Sequence, residues 1–466
     1  MFEGVTGFEL ISKINFKIFA MPIGVVRFGG NSFSNETHLN VLVDELKRSA
    51  GKMVLVVSAI PEIHKILHGS LQALVKHSLD YRSVILKIQE EIKRVGIEPG
   101  KNGLQQEIAQ LEGLLNGIQL TGDYSEALRD AVISFSEKIS AQVLAGFLEL
   151  HAIKAAVVYP ENLEFLVTEE FGNGTVLTQE NSHLQSFLFQ QVNLVPGSYG
   201  ISSNKKIVRL GNRASDYTAS ALTRLLGAES LELWEPGSSF RTADPAIVPG
   251  SAIISRLTYE EASELSYFTR SSLHPRIVEP LISAHIPIKI YRLLNSGKEL
   301  ETIINSESFV SENVVKSVVS DDEIAILKLN GPGVGFKPGI LAKVTGGFHH
   351  AGINIRSVIT SQVSINIILD KADAEKARQI CSAIQLSSVS ELIIEDEVSL
   401  IAVVGHGMQS HHGVSARLFK AVADQKINVL LSGSGASDLV SYLVIAKKEK
   451  EKAIREIHKI FNNPKN

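Results

Sequence analysis

The feature that most constrains the fold is a nine-residue stretch near the start of the chain, GVVRFGGNS at 24–32. Apolar residues and one arginine, Arg27, run into two adjacent glycines, and the pattern predicts a helix at roughly 38–50. Glycine lets backbone N–H groups approach a ligand, and a helix N-terminus carries about half a positive charge, which attracts phosphate. The stretch therefore predicts either an anion-binding turn, with Gly29, Gly30 and Ser32 around the anion, or an ordinary connection between a strand and a helix.

Length and composition indicate a soluble protein of two or three domains. The chain has 466 residues, of which 44% are hydrophobic and 21% are charged, as is ordinary for globular proteins. A net charge of −4 offers no basic surface for nucleic acid. Cys381 is the single cysteine, so an internal disulfide is excluded, and a reducing compartment, the cytoplasm, is expected.

Residues 1–20 are predicted to be an extension that precedes the first domain. Glu9, Lys13 and Lys17 interrupt its apolar residues, so the segment lacks the core of a signal peptide. Met21 is an alternative start of the protein, because the apolar core begins at Ile23. No stretch reaches the roughly 20 apolar residues that a membrane-spanning helix needs.

Strands and helices alternate through residues 21–300, which predicts one α/β domain with a sheet between two layers of helices. Continuous apolar strands are expected where a parallel sheet is buried on both faces. A long helical segment, 62–151, interrupts the alternation and is larger than a crossover requires. The predicted strands are Ile23–Phe28, Met53–Ser58, Ala155–Tyr159, Val192–Val195, Lys206–Leu210, Leu231–Trp234 and Ile286–Tyr291.

The rest of the chain contains a duplication. A polar stretch at 301–320 is predicted to be a linker. After it, strand and helix patterns of the same order occur in residues 321–395 and again in 396–466. Each repeat has the βαββαβ-like order of a ferredoxin-like domain. Two such units behind a larger α/β domain indicate regulation by a small molecule.

Motifs spread over nearly the whole chain resemble those of the aspartokinase family. The helical segment and Lys206–Leu210 are most similar to the kinase half of the bifunctional aspartokinase–homoserine dehydrogenases. The resemblance implies a three-layer αβα amino-acid-kinase domain followed by two ferredoxin-like ACT domains. It is carried by VRFGGNS at 26–32, VVSA at 56–59, FSE at 135–137, LGNRASDYTA at 210–219, TADP at 242–245, ELSYF at 264–268 and LHPR at 273–276.

Members of this family transfer the γ-phosphoryl group of ATP to the β-carboxylate of L-aspartate, the first step of lysine, threonine and methionine synthesis. The resemblance therefore implies ATP and Mg²⁺ as cofactors and L-aspartate as the substrate, with Glu137 receiving its amino group. Holding two anions together requires cationic side chains and backbone N–H groups. The residues that match catalytic positions are Arg27, Glu137, Arg213, Ser215 and Asp216, and those that match nucleotide positions are Gly29, Gly30, Ser32, Gly211, Trp234 and Asp244.

Several positions depart from the family motifs. Arg27 replaces the family lysine, and His64 stands where the family has threonine. The substrate arginine of the LGRGG motif falls at Asn212, and the two glycines become Arg213 and Ala214. A planar guanidinium is not equivalent to an ammonium group, and the lost glycines remove conformational freedom where backbone meets phosphate.

Some of the candidates also have plain structural interpretations. Glu137 fits a solvated carboxylate on a helix, and Ser215 or Asp216 fits a simple N-cap. The histidine pairs at 349–350 and 411–412 are sequence neighbours whose side chains point apart, so no metal site is predicted.

The first ACT unit retains more of the family pattern. Its loop and following strand resemble the segment that binds an amino-acid effector between paired ACT domains, which implies a homodimer, with a tetramer as a further option. Lysine-sensing members carry Asp and Glu where Arg356 and Gln362 stand, which argues against lysine. A dimer interface without an effector is the alternative. The matching residues are Gly335, Phe336, Gly339, Ile340, Arg356, Thr360, Ser361, Gln362 and Val363.

Three functions are compatible with these patterns. The first is an allosteric aspartate kinase in which Arg27 and Arg213 supply the missing cations. The second is a catalytically impaired relative that dimerises and senses an amino acid. The third is a kinase of the same fold that phosphorylates a different carboxylate.

Overall fold

The computed structural model describes residues 23–96, 102–177, 184–188, 190–234, 239–269, 273–308, 314–384, 386 and 388–462. The predicted N-terminal extension and the alternative start at Met21 lie outside these residues. The chain divides into two compact units, Met1–Pro236 with Glu279–Glu299 and Gly237–Val278 with Leu300–Asn466.

Strands and α-helices alternate along the described residues. The strands are β1 (Ile23–Phe28), β2 (Lys52–Val57), β3 (Ala155–Val157), β4 (Val192–Pro196), β5 (Tyr199–Ile201), β6 (Ile207–Arg209), β7 (Leu231–Trp234), β8 (Arg256–Thr258), β9 (Ile288–Leu294), β10 (Gly297–Asn305), β11 (Ser317–Asp321), β12 (Ile324–Asn330), β13 (Ile355–Thr360), β14 (Ser364–Asp370), β15 (Glu391–Glu395), β16 (Val398–Val404), β17 (Val429–Ser437) and β18 (Val440–Ala446). The helices are α1 (Glu36–Arg48), α2 (Pro61–Val75), α3 (Tyr81–Arg94), α4 (Asn102–Thr121), α5 (Glu126–Leu150), α6 (Ser215–Leu226), α7 (Tyr259–Thr269), α8 (Glu279–Ile282), α9 (Ile340–His350), α10 (Ala374–Ala383), α11 (Val414–Asp424) and α12 (Lys450–Asn462).

The first unit is built on a parallel sheet, as its apolar runs predict. The strand order is β3-β4-β2-β1-β7-β9, and every neighbouring pair is parallel. The last four residues of β1 and of β2 are buried, which explains their continuous hydrophobic sequences. Phe28 is in register with both Val57 and Trp234. The three strands therefore end at the same edge of the sheet, where α/β domains bind ligands.

Helix α5 is the central element of the helical segment predicted at 62–151. It contacts α2 and α4 as well as β3 and β4. Within the described residues, it alone is long and apolar enough to cross a membrane, but 78% of its apolar window is buried inside the protein. That burial is typical of the core helix of a folded domain. Ser136 and Glu137 are consequently buried as well, and polar groups in such a place need partners.

The second unit contains the two predicted repeats, but the second repeat is assembled differently from the first. Strands β13-β14-β12-β15 form the antiparallel sheet of the first repeat. In the second, β11 takes the edge that β15 occupies in the first, giving the order β11-β16-β18-β17. The prediction of a linker at 301–320 is therefore wrong. That segment contains the end of β10 and the first four of the five residues of β11, a strand that is mostly buried although it contains two serines and an aspartate.

Residues 237–278, predicted to belong to the α/β domain, group with the second unit, where one buried carboxylate holds them. Lys316 Nζ lies 2.6 Å from Glu261 Oε2, and the two side chains are 8% and 0% exposed. Glu261 also accepts the N–H groups of Thr258 (2.9 Å) and His406 (3.2 Å). Its own N–H donates to Thr258 Oγ1 (3.1 Å), which completes a capping box at the start of α7. The Glu261 carboxylate thus joins three segments of the chain, those that contain Thr258, Lys316 and His406.

Replacing Glu261 with alanine leaves Lys316 as a buried cation without this partner and two backbone donors without their acceptor. We expect the free energy of unfolding to fall by about 3–5 kcal/mol, measured by urea denaturation followed by circular dichroism. Glu451→Ala, which removes an exposed partner of Arg455, is the control and should cost less than about 1 kcal/mol. Equal effects of the two variants would contradict the buried-pair assignment.

Candidate active site

The turn after β1 has a shape that only glycine fits. A Cβ atom added at Gly30 would lie 2.0 Å from the carbonyl oxygen of Ala59, and the N–H of Gly29 donates to the carbonyl of Trp234 (3.3 Å). The hydroxyl of Ser32, in the 3-10 turn that follows, is fully buried and has no hydrogen-bond partner among the described residues. A buried hydroxyl without a hydrogen-bond partner destabilises the fold. A bound anion would supply that partner, so the turn fits the predicted anion site.

Arg27 and Asp216 form a buried ion pair next to this turn. Arg27 Nε lies 2.6 Å from Asp216 Oδ1, and the side chains are 3% and 4% exposed. Asp216 is in the first turn of α6, where the helix dipole favours a carboxylate. Ser215 Oγ lies 2.7 Å from the hydroxyl of Ser58, which follows β2. The N-cap interpretation of Ser215 and Asp216 is wrong, because Ala214 is the N-cap and no side chain caps this helix end.

Glu137 lies in the protein interior, so its interpretation as a solvated carboxylate is wrong. Its side chain is 2% exposed, and Oε2 accepts a hydrogen bond from Ser136 Oγ (2.8 Å). The hydroxyl of Ser198 also bonds to it. His64 Nδ1 lies 3.3 Å from Ser136 Oγ. Burial raises the pKa of Glu137, while the charge of Arg209 and the two hydroxyls oppose that rise.

Arg209 is a site residue that the sequence analysis missed. It ends β6, its side chain is 5% exposed, and its charge acts on both Glu137 and His64. Its backbone N–H donates to Asp130 Oδ2 (2.9 Å) on α5, two turns before Glu137. The available signal was an arginine within the apolar strand IVRL, immediately before the LGN motif.

Other predicted site residues lie at the surface, in the core or in the second unit. Gly211 and Arg213 have φ angles of 107° and 59°, so Arg213 holds a left-handed conformation at a cost of about 1 kcal/mol. Its side chain is exposed. Trp234 is a buried core residue. Asp244 belongs to the second unit, where its carboxylate accepts the N–H of Ala246 (2.9 Å).

Part of the predicted effector site comes together in two adjacent loops of the first ACT unit. The N–H of Gly335 donates to the carbonyl of Gln362 (3.2 Å), and a Cβ atom at Gly335 would lie 1.9 Å from the carbonyl oxygen of Ser361. The two loops therefore touch through backbone alone. Phe336, Thr360, Ser361, Gln362 and Val363 are exposed there.

The other predicted effector residues have structural contacts. Gly339 is the N-cap of α9 with a φ of 85°, and Ile340 is buried. The Arg356 guanidinium forms a buried ion pair with Asp321 and donates to the carbonyl of Tyr267 (3.1 Å). A role for these three residues in effector binding stays a prediction.

The chain combines a parallel α/β unit, which has a glycine turn and a buried cation at its strand ends, with two ferredoxin-like repeats. Residues 22–292 match the model of the amino acid kinase family, and residues 401–461 match an ACT domain model. The chain belongs to the amino acid kinase family.

Relatives in sequence and structure confirm the aspartokinase resemblance. A bifunctional aspartokinase/homoserine dehydrogenase of Haemophilus influenzae is 26% identical over 471 residues, covering 95% of this chain and 57% of the relative. Aspartokinase 1 of Arabidopsis thaliana is 25% identical over 457 residues, covering 94% and 80%. The structure of Escherichia coli aspartokinase III in complex with aspartate and ADP matches with a TM-score of 0.78 at 20% identity, covering 95% and 100%. The chain thus spans just over half the length of the bifunctional relative.

The environment of His64 predicts an abnormal titration. Burial lowers its pKa from 6.5 to about 4, and the charges of Arg209 and His68 act in the same direction. In ¹³C-labelled protein, we expect the His64 imidazole resonance, assigned with His64→Gln, to stay in its neutral position down to about pH 5 and to titrate near pH 4.

The same titration of Arg209→Gln tests the cause of the shift. Removing this positive charge should move the His64 midpoint upward, because the protonated imidazole is no longer repelled. Acid should favour unfolding of the wild-type protein between pH 6.5 and 4, where the unfolded chain binds this proton and the folded chain does not. A midpoint near pH 6.5 in the wild type would rule out the buried environment.

Proposed function

We propose that this chain is an aspartate kinase, which transfers the γ-phosphoryl group of ATP to the β-carboxylate of L-aspartate and makes 4-phospho-L-aspartate. The observation that carries the proposal is the buried Arg27–Asp216 ion pair beside the glycine turn. Phosphoryl transfer depends mainly on positioning and on stabilising negative charge. A fixed cation, backbone N–H groups and a helix N-terminus at one sheet edge are suited to that task.

The residues of the glycine turn fit a nucleotide. The orphaned hydroxyl of Ser32 and the Cβ-free surface of Gly30 offer a donor and close backbone approach to a phosphate. Among the described residues, no group of three or more His, Cys, Asp or Glu side chains is arranged to hold a metal ion. Mg²⁺ bound together with ATP would neutralise phosphate charge, and Asp216 is the candidate carboxylate to hold it.

The chain's own residues divide the remaining work. Arg27 would stabilise charge on the transferred phosphoryl group, and Asp216 keeps the guanidinium in place. Glu137 would accept the ammonium group of the amino acid. These three side chains are nearly inaccessible to water, which strengthens each electrostatic interaction and limits hydrolysis.

A kinase for a different carboxylate is the second candidate, and a specific observation favours it. The exposed Asn212 stands at the family position for the substrate arginine, whereas the charge of the buried Arg209 influences Glu137 and His64. This altered arrangement of charge is compatible with an acceptor of another length. The assay below therefore includes L-glutamate and other amino dicarboxylic acids as acceptors.

The test of the kinase is calorimetric titration with Mg-ATP, followed by hydroxamate detection of the acyl phosphate. We expect Arg27→Met to lower kcat by about 10²–10³-fold, the usual effect of removing one preorganised donor in an active site. Arg27→Lys should retain measurable activity, because it keeps the positive charge. Arg48→Ala, at an exposed helix position, is the matched control and should behave like the wild type.

Two results would overturn this proposal. Absence of ATP binding at millimolar concentration would favour the impaired, amino-acid-sensing alternative. ATP binding without any acyl phosphate from the acceptor panel would leave a nucleotide-binding protein without this activity.

We extend the proposal to regulation: the chain is a cytoplasmic homodimer whose first ACT unit binds an amino acid and controls the kinase. The support is the contact between the Gly335 loop and the Ser361–Gln362 loop, whose exposed backbone lies where the family pattern places an effector. Lysine-sensing relatives have an aspartate where this chain has Arg356. Arg356 is itself cationic and forms a buried ion pair with Asp321, so this position offers no acidic partner to a cationic effector such as lysine.

The Gly335 contact makes regulation testable. The effector is identified by screening the twenty amino acids in the hydroxamate assay, and Gly335→Ala should raise its half-effective concentration by about tenfold or more. The added Cβ cannot coexist with the carbonyl of Ser361, so the loops must separate. Gly346→Ala, on α9 with open space around its Cβ position, should leave the response unchanged. An unchanged response in Gly335→Ala would argue for an interface role alone.

A further inference from the structure

The Arg209 side chain is buried, and the described residues do not satisfy every donor of its guanidinium. Its side chain is 5% exposed, and its Nε atom is enclosed without a hydrogen-bond partner within the described part of the chain. No ion pair joins it to another described residue. Arginine is almost never buried unless it is paired, because removing a cation from water is costly. Arg209 is therefore placed for something other than stability.

The hairpin that carries Arg209 turns this residue toward α5. Arg209 is directly opposite Tyr199 in the β5–β6 register, so both side chains lie on the same face. Lys138 Nζ of α5 lies 5.3 Å from the Tyr199 ring centroid, which shows that this face packs on α5. The backbone N–H of Arg209 is itself bonded to Asp130 of the same helix (2.9 Å).

The charge of Arg209 influences Glu137 on α5, the residue assigned to the substrate ammonium group, and His64 on α2. Glu137 and His64 are joined through Ser136 by contacts of 2.8 Å and 3.3 Å. Glu137 and Arg209 place an acidic group and a guanidinium in one buried region, and no ion pair joins these two side chains. An acidic and a cationic side chain that are not paired with each other are complementary to a zwitterion. Glu137 would bind its ammonium group and Arg209 its carboxylate.

We propose that Arg209 binds the α-carboxylate of the amino-acid substrate while Glu137 binds its ammonium group. The proposal rests on the proposed kinase function and adds the residue that selects an α-amino acid. The α-carboxylate is the relevant one because it is bonded to the same carbon as the ammonium group, and so lies beside the partner of Glu137. The side-chain carboxylate then extends away from this pair as the acceptor of phosphate.

Arg209 also explains how the site functions without an arginine at the family position. Asn212 is neutral and exposed, and Arg213 is exposed with a left-handed backbone. Asn212 therefore supplies no cation to the buried region. Arg209 enters the same region from the strand, three residues earlier in the chain.

The test is a calorimetric cycle of ligand and variant in the full-length protein. L-Aspartate and its α-amide, which lacks the α-carboxylate, are titrated into the wild type and Arg209→Gln in the presence of a nonhydrolysable Mg-ATP analogue. The wild type should bind L-aspartate about 100-fold more tightly than the α-amide, whereas Arg209→Gln should distinguish them by less than about threefold. Lys206→Gln, at an exposed position three residues before Arg209, should keep the wild-type preference.

Folding is checked by thermal denaturation of each variant. A merely structural Arg209 would lower the melting temperature when replaced, whereas loss of an unpaired buried cation should leave it equal or higher. If Arg209→Gln does not fold, Arg209→Lys replaces it and should retain part of the preference.

The possible outcomes separate this proposal from the kinase assignment. An intact preference in Arg209→Gln overturns the role of Arg209 even if the enzyme makes acyl phosphate. A lost preference supports it even if no phosphate is transferred, in which case the kinase assignment fails alone. Failure of the wild type to bind L-aspartate in the presence of the Mg-ATP analogue overturns the assignment of this substrate and of Arg209 together.

Discussion

The buried ion pair between Arg27 and Asp216 is the interaction on which the arrangement of the first unit depends. Either charge alone in that position would cost several kcal/mol, so β1 and the N-terminus of α6 must approach each other. The parallel order of the sheet permits this, because β1, β2 and β7 end at one edge and α6 contacts all three strands. Gly30, which has no room for a side chain beside Ala59, then completes the turn at the point where the charges meet.

The parallel sheet and the glycine turn were predictable because their signals are local. A strand buried on both faces has a continuous apolar sequence, whichever strands pair with it. A Gly-Gly pair directly after such a strand indicates a tight turn. The environment of Glu137 was not predictable in this way. Helix α5 is buried on nearly every side, so it has no clear polar face that would mark a carboxylate as exposed or enclosed. Glu137 is inaccessible to water only because α2, α4 and the sheet pack around α5.

The sheets of the second unit also contain a feature that local sequence patterns could not predict. The first ACT repeat is contiguous in sequence, and its order could be inferred from spacing. The second needs β11, which precedes the first repeat and is separated from β16 by more than 70 residues, as the register of Ser317 with Val404 shows. A pairing over that distance leaves no periodic signal in a five-residue segment that contains two serines and an aspartate. The segment was therefore taken for a linker, although the buried Lys316 immediately before it binds Glu261.

The distribution of cations bears on whether the site has decayed or has been rearranged. Counting motif positions suggests decay, because the family arginine is absent at Asn212. The charge offered to a ligand depends, however, on which side chains reach the buried region, and we propose that Arg209 on β6 supplies a guanidinium there. The histidine at 64 is consistent with this exchange, because the nearby cation and burial hold it neutral, so the site gains no second repulsive charge. An unpaired buried arginine lowers stability, and a chain free of any binding requirement gains by losing it. The presence of Arg209 in the same buried region as the Glu137 carboxylate is therefore better explained by a ligand that carries both charges than by a chain with no substrate.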